Sequence, residues 1–171
     1  MTARLRCHKP GKRGQRMNLK TVEQLATENP SEWASNHIRQ YLESNGQDVD
    51  HRLADNMILL YTKGRTSGKI RRHPIVHLPD GDDLIVIASK GGAPKHPHWF
   101  LNLRANPQVW VRRKSDVFEA EAKILDGEEY EEVWRRVTDW APGFQDYQDR
   151  TERQIPLVRL TPVAVPGQKT R

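Results

Sequence analysis

Membrane-spanning runs, cysteine pairs and phosphate-loop signatures are all missing from this 171-residue chain. No stretch approaches the 18 or so apolar residues that a span needs, and no apolar run at the N-terminus marks a secretory signal. With one cysteine, Cys7, no disulfide can form within the chain, which fits a reducing cytoplasm. There is no G-x-G-x-x-G, no nucleophile elbow and no zinc-protease motif. Acid is missing from residues 1–20, which carry seven Lys and Arg. Without those seven the rest of the chain stands near −1, so the formal charge of +6 belongs to a tail and not to a folded face.

That tail, residues 1–16, has no hydrophobic period and carries Pro10, Gly11 and Gly14. It reads as a disordered leader, with Met17 as an alternative start. A nucleic-acid arm is the lesser reading, because a basic tail alone binds weakly and without specificity. No specific nucleic-acid partner is expected. The length suits one domain. The expected division is the tail at 1–16, a helical segment at 17–56, a core domain at 57–162 and a C-terminal tail at 163–171.

Ser31 can cap a helix that Asn45-Gly46 ends, and Trp33, His37, Ile38, Tyr41 and Leu42 give it one apolar stripe. Whether this helix is a lid or a peripheral membrane contact stays open. Apolar or alternating runs predict strands at 57–62, 71–78, 84–89, 109–113, 117–125 and 155–161. Short turns at Pro79-Asp80-Gly81-Asp82-Asp83 and Lys114-Ser115-Asp116 join them as hairpins. Helices are predicted at 97–105 and 128–141, with Trp134 and Trp140 of the second expected in the core. Hairpins, rather than strand–helix–strand crossovers, favour an antiparallel sheet or small barrel over a doubly wound fold.

Two segments stand out by charge. Residues 61–78 hold Lys63, Arg65, Lys69, Arg71 and Arg72 and no acid, and residues 88–104 hold Lys90, Lys95 and Arg104 and no acid. Like charges gathered in this way call for an anionic ligand. In the first segment, Gly64 and Gly68 let the backbone turn tightly, Thr66 and Ser67 supply hydroxyls, and Arg65 and Arg71 supply bidentate forks. In the second, Gly91-Gly92 opens a nest of amides beside Lys90, and a helix starting near Pro97 or His98 also suits an anion. Trp99 and Phe100 offer flat apolar surface. His73 and His77 share a strand face, but no Cys or acid stands at ligand spacing beside them, so no metal is expected.

The runs Thr62-x-Gly64-Arg65-x-Ser67-Gly68-x-x-Arg71 and Ala88-Ser89-Lys90-Gly91-Gly92-x-Pro94-x-His96-Pro97-x-Trp99-x-x-Asn102-Leu103 are followed by Asn106-Pro107. Together with Asp146-Tyr147-Gln148 and Arg153-Gln154-Ile155-Pro156, they resemble the deazaflavin-dependent nitroreductase family over residues 57–162. The resemblance implies an α+β, mainly β fold: a split β-barrel like that of FMN-binding proteins, with about six mostly antiparallel strands and flanking helices. It implies coenzyme F420, whose phosphate and oligoglutamate tail are anionic. Lys63, Arg65, Thr66, Gly68 and Arg71 would hold phosphate and tail, and Pro74 and Ile75 would lie along the ring. Ala88, Ser89, Lys90, Gly91 and Gly92 would wrap the ring's polar edge and the phosphate. Pro94, His96, Trp99 and Asn102 would shape the pocket.

The implied activity is hydride transfer from reduced F420 to an electron-poor small molecule. Tyr147, then Ser89, is the candidate for proton donor or substrate contact. The family often has several tyrosines here. In this chain Phe144 and Arg150 flank Tyr147, which leaves nitro compounds, quinones and enones all open as acceptors. The rival readings are a carrier that binds F420 without turnover and a reductase of the same fold that uses FMN. The chain would act as a monomer or homodimer.

Overall fold

The computed structural model describes residues 19–49 and 51–163. The expected basic tail at 1–16 and nearly all of the C-terminal tail lie outside them. The elements run α1 (Leu19–Leu25), α2 (Glu32–Ser44), β1 (Met57–Lys63), β2 (Ile70–Asp80), β3 (Asp83–Ile87), α3 (His98–Ala105), β4 (Gln108–Arg113), β5 (Asp116–Ile124), α4 (Gly127–Trp140), α5 (Gly143–Asp149) and β6 (Leu157–Pro162). Single 3-10 turns lie at Ala54–Asn56 and Lys90–Gly92.

The six strands close into an antiparallel barrel in the order β1-β2-β3-β6-β5-β4. The hairpin between β2 and β3 turns at Gly81, whose φ of +63° matches a tight two-residue connection. The β4–β5 hairpin puts Lys114 at φ +56°. The last strand, β6, fills the gap between β3 and β5.

Side chains alternate across a strand, and β1 shows why six of its seven residues are nevertheless buried. Ile58 and Leu60 point into the barrel with Leu84, Val86, Val111 and Leu160, where Trp99, Phe100 and Leu103 of α3 pack with them. Met57, Leu59 and Tyr61 point outward and are covered by Val22 of α1 and by Ile38 and Tyr41 of α2. A third cluster packs Tyr130, Val133 and Val137 of α4 against Ile85, Ile87 and Leu157. Each buried aliphatic side chain contributes about 1.5–3 kcal/mol.

The predicted cap of α2 is present. The amide of Ala34 donates to Ser31 Oγ at 3.4 Å, and Asn45 takes a left-handed conformation with φ 52°. Two helices depart from expectation, α1 and α5. Each has seven residues, too few to display a hydrophobic period. Trp134 and Trp140, expected in the core, sit half-buried at its edge, and Trp134 Nε1 donates to Gln145 on α5 at 3.3 Å.

Candidate functional site

A cavity of about 950 Å³ runs along β2, and among the described residues no Asp or Glu lines it. Its cations are Arg52, Arg65, Arg71 and Lys90, and none is ion-paired among the described residues. Pro74, Ile75, Val76 and Ile87 supply apolar wall.

One end is built mostly from backbone. The turn after β1 is closed by the amides of Gly64 and Gly68, which donate to Lys69 O and Gly64 O, both at 2.8 Å. A Cβ on Gly64 would lie 2.7 Å from Ser67 Oγ, so a larger residue would force the turn apart. Buried Asn102 ties this turn to α3. Its Oδ1 accepts from the amide and Nη1 of Arg65, each at 3.2 Å, and its Nδ2 donates to Thr62 Oγ1 at 3.1 Å. Arg71 Nη1 donates to Thr27 Oγ1 at 3.0 Å, while Thr27 N donates to Ile70 O at 2.9 Å. The segment ahead of α2 therefore lies beside β2 and orients the Arg71 guanidinium.

The second Gly-rich stretch forms the expected nest. Ser89 is right-handed (φ −71°, ψ −45°) and Lys90 and Gly91 are left-handed (φ 49° and 63°). That alternation turns successive N–H groups toward one point, where an anion is held. Lys90 bears the strain of a non-glycine residue at positive φ, which is tolerated where function requires it. Arg153 holds the loop from behind. It donates to Ser89 O (2.7 Å), Ala88 O (3.2 Å) and Ala93 O (2.8 Å), and its Nη1 lies 3.1 Å from His96 Nδ1.

The other end is built from side chains. Trp33 and Ala34 of α2, then His51, Arg52 and Leu53, line it together with Phe144 and Tyr147 of α5, and Arg52 lies against Gly143. Trp33 is 53% exposed although it is a large aromatic, and its ring lies 4.2 Å from that of His37. The Tyr147 ring meets Phe144 edge-on at 5.9 Å, and the Arg150 guanidinium lies over it at 5.5 Å.

Of the residues singled out from sequence, Arg65, Thr66, Arg71, Pro74, Ile75, Ser89, Lys90, Gly91, Trp99, Asn102 and Tyr147 line the cavity. Six do not. Ala88 is fully buried in the barrel core. Gly92 packs on α5, where a Cβ would come 2.5 Å from the Tyr147 carbonyl. His96 faces Arg153 and lies 4.9 Å from Phe100. Gly68 shapes its turn at φ +67°, and Lys63 and Pro94 are exposed outside the cavity. Trp33, His51, Arg52, Leu53 and Met57 were not foreseen, and only the apolar stripe of α2 hinted at that wall.

His73 was set aside with the metal question, yet it lines the cavity. Burial, with Arg71 and His98 nearby, pushes its pKa down to about 4, so the ring is neutral. Asn29 Nδ2 lies 3.4 Å from its Nδ1, and its Nε2 is buried without a partner among the described residues. An acid-free cavity with cations and an amide nest at one end, apolar wall beside them and an unpartnered imidazole nitrogen suits a long anionic cofactor with a flat ring.

Residues 33–162 match the sequence family described as F420H(2)-dependent quinone reductase. An F420H(2)-dependent quinone reductase of Mycobacterium tuberculosis is 35% identical over 130 residues, covering 73% of this chain and 87% of that protein. A solved F420-H2 dependent reductase superposes with a TM-score of 0.57 at 37% identity, over 61% of this chain and 93% of that one. A second solved chain, described as a domain-swapped dimer, superposes with a TM-score of 0.58 at 33% identity, over 77% and 99%.

Proposed function

The chain belongs to the F420H(2)-dependent quinone reductase family, and from that premise we propose that its acid-free cavity holds reduced F420 beside a quinone. The protein is an F420-dependent oxidoreductase. Bound F420H2 supplies a hydride for the acceptor. The protein's own task is to orient, to exclude water and to handle a proton.

The Ser89–Gly91 nest, Lys90, Arg65 and Arg71 hold the cofactor's phosphate and acidic tail. Pro74 and Ile75 lie along the ring. Asn102, Thr27 and Arg153 fix these groups beforehand, which reduces the ordering cost of binding. A quinone that gains a hydride also needs one proton to become a hydroquinone. Tyr147 Oη is the donor proposed, with Ser89 Oγ second. The absence of acid from the cavity lining among the described residues, in a chain with 22 Asp and Glu, carries this reading. Quinones come first as acceptors because the family and its relative are named for them. Nitro compounds and enones are a second acceptor class. The domain-swapped neighbour supports a homodimer.

The test is titration of the purified protein with F420 and, separately, FMN, followed by F420H2 oxidation with menadione. Micromolar F420 binding and quinone-dependent oxidation are expected. FMN binding in place of F420 would overturn the cofactor reading. F420 binding with no acceptor reduced would leave a carrier.

A further inference from the structure

Three of the four cavity cations have a task in that reading. Arg52 has none. Its side chain is exposed, and it has no ion pair or hydrogen bond among the described residues. It also lies away from the Gly64 turn and Arg71. Residues 51–56 lead directly into Met57, which pairs with Val76, whereas Arg71 lies five residues and Gly64 seven residues along the β1–β2 pair. At about 3.3 Å per residue, those positions are roughly 17 to 23 Å from Met57.

The guanidinium has a defined seat. It lies against Gly143, where an added Cβ would be 3.0 Å from Arg52 Nη2. Gly143 opens α5, which turns Phe144 and Tyr147 into the cavity. Trp33 and Leu53 line the same cavity, and Leu53 packs in one cluster with Phe144 and Tyr147. The surroundings are therefore a slot with aromatic walls, a hydroxyl at Tyr147 and one uncommitted cation at its rim. A slot of this kind recognises a flat ring with an anionic oxygen at one edge, because the ring removes apolar surface from water while the guanidinium meets the charge.

We infer that Arg52 selects the acceptor, and that the preferred acceptors are aromatic quinones bearing an acidic substituent. This rests on the quinone reductase reading and deepens it. The cation accounts for substrate preference at the end of the cavity away from Arg65 and Arg71.

The experiment compares kcat/KM for naphthoquinone sulfonate with that for menadione in the F420-loaded protein. The ratio is then measured again in R52Q, R52K and R52E. Because the two quinones differ in intrinsic reactivity, only the change in their ratio is read. R52Q is expected to lower it about fivefold, the effect of one exposed charge contact. R52K should recover most of it and R52E should lower it further. Added salt should compress the wild-type ratio toward that of R52Q. Equilibrium dialysis of naphthalene sulfonate against neutral naphthalene methanol gives the same comparison without turnover. Equal ratios in wild type and R52Q would overturn the inference while leaving the quinone reductase reading intact. Failure of either quinone to oxidise F420H2 would overturn that reading first, and F420 titration on the same samples separates the two results.

Discussion

Arginine is treated in opposite ways at two places in this molecule. Around Arg159 on β6, every cation has a carboxylate. Arg159 pairs with Asp80, with Asp83 at 3.2 Å and with Glu129 at 3.2 Å, while Arg136 pairs with Asp80 at 2.9 Å. Burial would raise the Asp80 carboxyl, but Arg159 and Arg136 hold it below the usual carboxylate range. Along the cavity, Arg65 and Arg71 receive only neutral partners, Asn102 and Thr27. Those partners orient the guanidinium without neutralising it. The first arrangement holds elements of the fold together. The second retains the positive field for a ligand, at some cost in self-repulsion.

The comparison breaks most readily at the cavity. Arg65→Glu should weaken F420 binding at least about 100-fold, because a bidentate attraction becomes a repulsion. Its thermal midpoint should stay level or rise. An affinity within threefold of wild type would show that the uncompensated charge serves no anion. The next largest effect belongs to the paired corner. Arg159→Met leaves Asp80 and Asp83 facing each other with one cation gone, and should cost about 2 kcal/mol in urea unfolding with F420 affinity unmoved. Loss of affinity there instead would merge the two regions.

A pH effect of similar size sharpens the cavity side. The His73 pKa is lowered in the folded protein, so its contribution is complete above pH 6.5 and is lost as pH falls toward 4. Between pH 7 and pH 5 this one group should remove about 2 kcal/mol of stability. His73→Gln should flatten that part of the profile, and an unchanged slope would mean that His73 is not the group responsible. The smallest expected effect is none. Lys123 and Glu129 make an exposed pair, and Lys123→Ala should leave the denaturant midpoint where it is.

The legible parts of the site are those where backbone shapes the cavity. Gly64 and Gly91 stand out in the chain because a tight turn and a left-handed nest need glycine locally, and Lys90 and Arg65 lie beside them. The barrel was legible for a related reason, since β1 and β3 are short apolar runs joined to alternating β2 by turns within a few residues. The Arg52 and Trp33 wall is another matter. Those side chains reach the cavity from segments before the barrel, and neither carries a neighbouring signal of its destination. Arg153 belonged to a quoted motif, yet its partners lie 57 to 65 residues earlier, a relation that only the closed fold discloses. Ala88, Gly92 and His96 show the converse. A motif includes residues that brace a loop as well as those that line the cavity.

The position of Arg153 also orders events in time. During synthesis the Gly91-Gly92 stretch emerges about sixty residues ahead of the guanidinium that braces it. Both neighbours of β6 are likewise made before β6 exists. A nascent chain halted at residue 150 has the glycines, Lys90 and Arg65, but neither a closed barrel nor a braced nest. In the cofactor reading proposed above, capture therefore waits until Arg153 and β6 have been made.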